Sequence, residues 1–149
     1  MWTLTAPITI LTLTSTDLLG KLINVTLSGL TTTFVYMSAS NENTTIKNYY
    51  DDLEDLDIQL KLSLINNWIK KTEYEIKDPN FELIYNAISD SCNKINMCVC
   101  QINSKIEYHY SKWFHLWRNL DLYNEIKIIK KQTKILDNRL ILINLKNNI

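Results

Sequence analysis

The sequence predicts an all-α fold: an antiparallel bundle or hairpin of three long coiled-coil-like helices, preceded by a low-charge, Thr-rich N-terminal segment. Three observations carry that prediction. The 149 residues include only two glycines and two prolines, against roughly a tenth of an ordinary chain, so the turn-rich corners of an all-β architecture have no material. Apolar residues after position 45 recur at alternating spacings of 4 and 3, the signature of a helical seam. The breaks between these runs are short and polar, which places consecutive helices side by side.

Residues 1–40 differ in kind from the rest. Ten of the first 33 residues are Thr, and the only charged side chains up to position 40 are Asp17 and Lys21. "PITILTLT" (Pro7 to Thr14) alternates roughly apolar and polar, as a half-buried strand would. Leu18 to Ala39 then has the length of a membrane-spanning helix but is diluted by Asn24, Ser28, Gly29 and four Thr. Two readings stay open for it, a membrane segment and a strand or helix buried in protein. Its start lacks the basic residues and clean apolar core of a secretory signal. "SASNENTT" (Ser38 to Thr45) is the expected linker, dividing a segment 1–40 from a helical domain 41–149.

The first long helix is expected from about Thr45 to Ile76, with Tyr49, Leu53, Leu56, Leu60, Leu64 and Trp68 on one face. Asp51, Asp52, Glu54, Asp55 and Asp57 lie in its first half and Lys70 and Lys71 near its end, the order that a helix dipole favours. "KDPN" breaks it, and Pro79 suits the start of the next helix. That helix is expected from Asn80 to Asn119, its seam running through Ile84, Ile88, Ser91, Ile95, Cys98, Ile102, Lys105, His109, Trp113 and Leu116. Ile106 fills the gap left at Lys105. The last helix, about Leu120 to Lys146, repeats the spacing through Leu122, Ile126, Ile129, Thr133, Leu136, Leu140 and Ile143. Ile128, Ile135 and Leu142 add a second stripe, an apolar arc wide enough to touch two neighbours.

Charge is balanced overall but unevenly placed. Residues 41–100 hold 6 basic and 11 acidic side chains, residues 101–149 hold 9 and 4. Opposite signs of this kind select which helix lies beside which. A nucleic-acid binder would be basic overall, so the row Lys127, Lys130 and Lys134 reads as a solvated face or a partner for the acidic helix. "DDLEDLD" lacks the glycine and terminal glutamate of a calcium loop and reads as a solvated acidic face.

"YHYSKWFHLW" (Tyr108 to Trp117) concentrates aromatic residues and both histidines. It reads either as the packed corner of a helical hairpin or as an exposed anchor for a partner or a membrane interface. Tyr110, Trp113, Phe114, Trp117 and Arg118, with Lys127, Lys130 and Lys134, are the candidate interface residues. A zinc site is disfavoured, since Cys92, Cys98, Cys100, His109 and His115 are spaced C-x5-C-x-C and H-x5-H along one helix. Zinc pairs are commonly C-x2–4-C and H-x3–5-H, and Cys98 and Cys100 project about 200° apart on a helix. Three clustered cysteines make no disulfide framework and suit a reducing compartment. The sequons at Asn24 and Asn43 are of the kind that chance supplies in an Asn- and Thr-rich chain. Glycine-rich phosphate loops and nucleophile–base motifs are lacking, so no catalytic residue, cofactor or small-molecule substrate is inferred.

The Asn-, Ile-, Lys- and Leu-rich composition of the last hundred residues, with "HYSKWFHLWR" (His109 to Arg118) and "LDNRLILI" (Leu136 to Ile143), resembles small uncharacterised helical proteins of giant double-stranded DNA viruses. The likeness covers about residues 50–149. It implies a viral setting, in a virion or at a viral membrane, and transfers no activity to any residue. The expectation from the whole sequence is a non-enzymatic structural or scaffolding protein that self-associates or binds a protein partner. The alternative is a small membrane protein anchored by residues 18–39 with a projecting bundle.

Overall fold

The computed structural model describes residues 15–39, 43–72, 79–112 and 120–147. Five helices occupy them: α1 (Ser15–Ser38), α2 (Thr44–Asp55), α3 (Ile58–Thr72), α4 (Pro79–Ser111) and α5 (Tyr123–Asn147). The all-α expectation holds, with no strand among the described residues. The strand-like run Pro7 to Thr14 lies outside them.

α1 shows how a Thr-rich run becomes helical. β-Branched residues lose side-chain freedom in a helix, so such a segment needs packing and satisfied hydroxyls. Both are present. Thr26, Thr31, Thr32 and Thr33 each place the hydroxyl 2.8–3.1 Å from the carbonyl oxygen four residues earlier, which keeps these polar atoms bonded wherever they point. Leu19, Ile23, Thr26, Leu30, Thr33 and Met37 are buried, at spacings of 4, 3, 4, 3 and 4. α1 is therefore a helix buried along one face in protein. Two of its six seam positions are Thr, which is why the periodicity was masked by composition.

The long helix expected from Thr45 to Ile76 is broken in two. Asn43 caps α2, its side-chain oxygen accepting from the Thr45 and Ile46 amides at 3.0 and 3.3 Å. At the other end the Leu56 and Asp57 amides bond back to Leu53 and Glu54 at 3.3 and 3.1 Å, a tightened final turn. Asp57 then takes φ 53°, a left-handed conformation that Asp tolerates better than most residues, and its carbonyl accepts from Lys61 to start α3. The break rotates the buried face. Ile46 and Leu53 are buried before it, and Ile58, Leu62, Ile65, Ile69 and Thr72 after it, together with Trp68, which the expected seam included. Leu60 and Leu64, expected on the seam, are 53% and 49% exposed, because a seam continued at a constant period assumes an unbroken helix.

α4 is the central rod. Ile88, Ile95, Ile102 and His109 form its midline and are buried, as their seam positions predict. On one side of that line Phe81, Tyr85, Cys92, Val99 and Ile106 are buried; on the other, Ser91 and Cys98. Lys105 is exposed and Ile84 half-buried, so the seam is two seams sharing a midline. In α5 the expected main seam is buried from Leu122 to Leu136 and at Ile143, with Leu140 half-buried. The second stripe lies largely outside the core: Ile128 and Leu142 are 43% and 42% exposed and Ile135 is half-buried. The flank that is buried instead is polar, Glu125 and Gln132.

Contact register sets the topology. Gly29 faces Val99, Thr33 bonds Asn103 and Tyr36 bonds Glu107, so α1 and α4 run parallel. Phe34 packs on Tyr50 while Gly20 lies near Asn66, so α2–α3 runs opposite to α1. The Leu122 amide donates to the Tyr49 hydroxyl, Lys130 pairs with Asp52 and Lys61 pairs with Asp137, so α5 runs parallel to α2–α3 and opposite to α4. The described residues thus form four rods, with α2–α3 as one broken rod. α1 and α5 both flank α4 and both touch α2–α3. α3 meets α4 where Trp68 stacks on Phe81 at a centroid distance of 4.9 Å. The expected three-helix arrangement is replaced by this four-rod one, since the seam in α1 supplies a further partner for α4.

Candidate functional site

Two surfaces gather the residues that the fold itself does not consume. The first lies where the parallel helices α1 and α4 end together. Among the described residues, Tyr36 of α1, Ala39 just past its end, and Ile106, Glu107 and Tyr110 of α4 line a cavity of about 360 Å³. The Tyr36 hydroxyl donates to Glu107 Oε1 at 2.7 Å. That bond to a carboxylate, with burial and the negative charge behind it, raises the Tyr36 pKa. His109 is buried and stands edge-on to the Tyr110 ring, 5.1 Å between centroids. Lys112 sits 4.7 Å above the Tyr108 ring, turning a cation onto an aromatic face.

This is the beginning of the aromatic stretch singled out in the sequence. Tyr108 and Tyr110 are exposed and His109 is core, so the stretch starts with alternate roles on successive positions. Trp113, Phe114, Trp117 and Arg118 lie outside the described residues. Tyr36 and Glu107 were not singled out by sequence, since they belong to different elements 71 positions apart and no local pattern joins them.

The second surface is the outer side of α5. Lys127, Lys130 and Lys134 are exposed. Lys130 Nζ lies 3.3 Å from Asp52 Oδ2, both side chains about half exposed, and Lys127 stands 5.9 Å above the Tyr123 ring. The basic row therefore meets the acidic α2 at one point. On another side of α5, Ile128, Ile135 and Leu142 follow one another every seven residues, nearly in line along the helix. Between them and the core seam lies the buried polar flank. Glu125 pairs with Lys105 of α4 through Oε1, while its Oε2 is buried and has no hydrogen-bond partner.

The cysteines sit on α4. Cys92 and Cys98 are buried and Cys100 is exposed. Burial pushes the Cys92 thiol up to about 12, and burial with the charge of Glu125 raises Cys98. Among the described residues no three His, Cys, Asp or Glu side chains lie together as a metal site would need. Comparisons with protein-family models, with curated proteins and with solved structures returned no match.

Proposed function

We propose that this protein is a non-enzymatic scaffolding or interaction protein that works by helix–helix association, with the outer row of α5 as its contact surface and a second copy or a protein partner as the occupant. The observation that carries the reading is the inversion on α5. Ile128 and Leu142 are exposed and Ile135 between them is half-buried, while glutamate and glutamine at 125 and 132 are buried. Apolar side chains in a line on a helix surface are better buried than solvated, at about 25 cal/mol per Å² of apolar area. Seven-residue spacing is what a second helix lying alongside would read. The viral setting implied by the resemblance of residues 50–149 belongs to this proposal.

The test is the mass of the full chain by size-exclusion chromatography with light scattering at tens of micromolar. A dimer or larger assembly of defined mass is expected, and Ile128→Ser with Ile135→Ser and Leu142→Ser should return it to monomer with its helix content kept. A wild-type monomer that recruits no protein partner through these residues would sink the reading.

A second reading, a membrane anchor, has one observation in its favour: Asp17–Ser38 is long and apolar enough to cross a bilayer by length and composition. A core helix passes the same test, and α1 gives six residues to the bundle interior. Co-flotation of the full chain with liposomes decides between them.

A further inference from the structure

The α2–α3 rod and α5 lie side by side and run in the same direction, and their outer sides carry opposite charge. On α2 and at the break after it, Asp51, Glu54, Asp55 and Asp57 are exposed, against one exposed base, Lys47. On α5, Lys127, Lys131 and Lys134 are exposed, and no acid lies between Ile126 and Leu136. The two rows touch where Lys130 meets Asp52. Among the described residues none of those four acids, and none of the other three lysines, forms an ion pair. Further along the same rods the charge gives way to apolar side chains. Leu60 and Leu64 of α3 and Ile141 of α5 are exposed, and the register that sets Lys61 beside Asp137 brings Leu64 and Ile141 to nearly the same level.

We infer that this face binds a second copy of the chain, α2 of one copy over α5 of the other, about a two-fold axis running along the rods. The inference rests on the reading of α5 as the contact helix, and it names the occupant and its direction. A face with both signs in adjacent rows is its own complement, which is what an isologous contact requires. Rotation about an axis parallel to the rods and midway between them exchanges the rows. Asp51 and Asp55 then face Lys127 and Lys134 of the other copy, and the reverse pairing forms at the same time. Direction along the rods is kept, so Leu60 and Leu64 meet Ile141 of the other copy. Turning the second copy end to end would instead lay the charged end on the apolar end. Single exposed ion pairs add little stability; rows of them select partner and orientation. A nucleic acid is the wrong occupant, because the acidic row beside the lysines repels phosphates.

Sedimentation velocity of the full chain and of two charge-reversed chains tests the pairing: Asp51→Lys with Asp55→Lys, and Lys127→Glu with Lys134→Glu. These positions are exposed, and helix content and melting temperature are measured to verify that both variants fold. The wild type is expected to self-associate, less tightly as salt rises. In either reversed chain like charges face each other at these positions, so self-association should weaken by about tenfold or more. Mixed in equal amounts, the two reversed chains should form a heterodimer with an affinity near that of the wild type, because each reversed row again faces its opposite. If both reversed chains self-associate like the wild type, while serine at 128, 135 and 142 abolishes association, the inference is overturned and α5 still stands as the contact helix. A mixture no tighter than either chain alone overturns the pairing of α2 with α5. A wild type that stays monomeric at low salt overturns it as well, and the contact helix then stands or falls on a different protein partner.

Discussion

α1 and α5 flank the same central helix, yet they are attached to it by different chemistry. α1 has no charged residue after Lys21. It meets α4 through close approach and hydrogen bonds: a Cβ on Gly29 would stand 2.8 Å from Val99 Cγ1. One turn on, the Thr33 hydroxyl lies 2.6 Å from Asn103 Oδ1, and Asn103 Nδ2 donates to the Gly29 carbonyl at 3.0 Å. α5 meets α4 through an aliphatic seam and an ion pair, Lys105 with Glu125. Shape fixes one flank, while hydrophobic periodicity with charge fixes the other. A contact made by shape and a polar clamp leaves little trace in sequence, because Thr, Gly and Asn also read as loop or surface. A contact made by Leu and Ile at spacings of 4 and 3 announces itself.

Three substitutions break or sharpen this contrast. Ile95→Ala acts on the midline that both flanks share, so it should lower stability by about 2–5 kcal/mol, seen as a loss of melting temperature with both flanks loosened together. Gly29→Val acts on the α1 side alone. Its side chain must displace Val99, a stiff β-branched residue, and overpacking of this kind costs about 1–3 kcal/mol. Val99→Ala in the same chain should recover part of that loss, a coupling that denaturant unfolding of the four chains in the cycle would measure. If Gly29→Val is neutral, the close approach is not what seats α1.

The smallest effect separates two ion pairs of α5. Lys130 and Asp52 are both about half exposed, so Lys130→Ala should cost at most about 1 kcal/mol and less in high salt. Lys105→Ala should cost more than Lys130→Ala, because it strands Glu125, which is 7% exposed and has one oxygen already unpartnered. Urea titrations at low and high salt read both, and equal losses would remove the distinction between a surface pair and a half-buried one.

The helical class was legible from scarce Gly and Pro, and the main seams of α4 and α5 from spacing. What was not legible has physical causes. The break at Asp57 rests on one residue with positive φ inside a run whose apolar spacing continues without a gap, so Leu60 and Leu64 have the spacing of core residues. The seam of α1 was hidden by Thr26 and Thr33, buried polar residues whose hydroxyls bond their own helix. Ile128 and Leu142 read like core because residue type cannot distinguish an apolar side chain packed within the chain from one on its surface. Of the candidate site, Tyr110 and the lysine row were found by composition. Tyr36 and Glu107 needed the parallel register of α1 and α4 to bring them together.

The most direct test of α1 as a full member of the bundle is amide hydrogen exchange on the whole chain in detergent-free buffer. Exchange of a core helix requires opening of the whole fold, whereas a peripheral one exchanges by local opening. The account predicts that amides of residues 23–37 are protected as strongly as those of residues 88–106 in α4. Exchange of α1 near the rate of an unfolded peptide, with α4 still protected, would contradict it and move α1 out of the core.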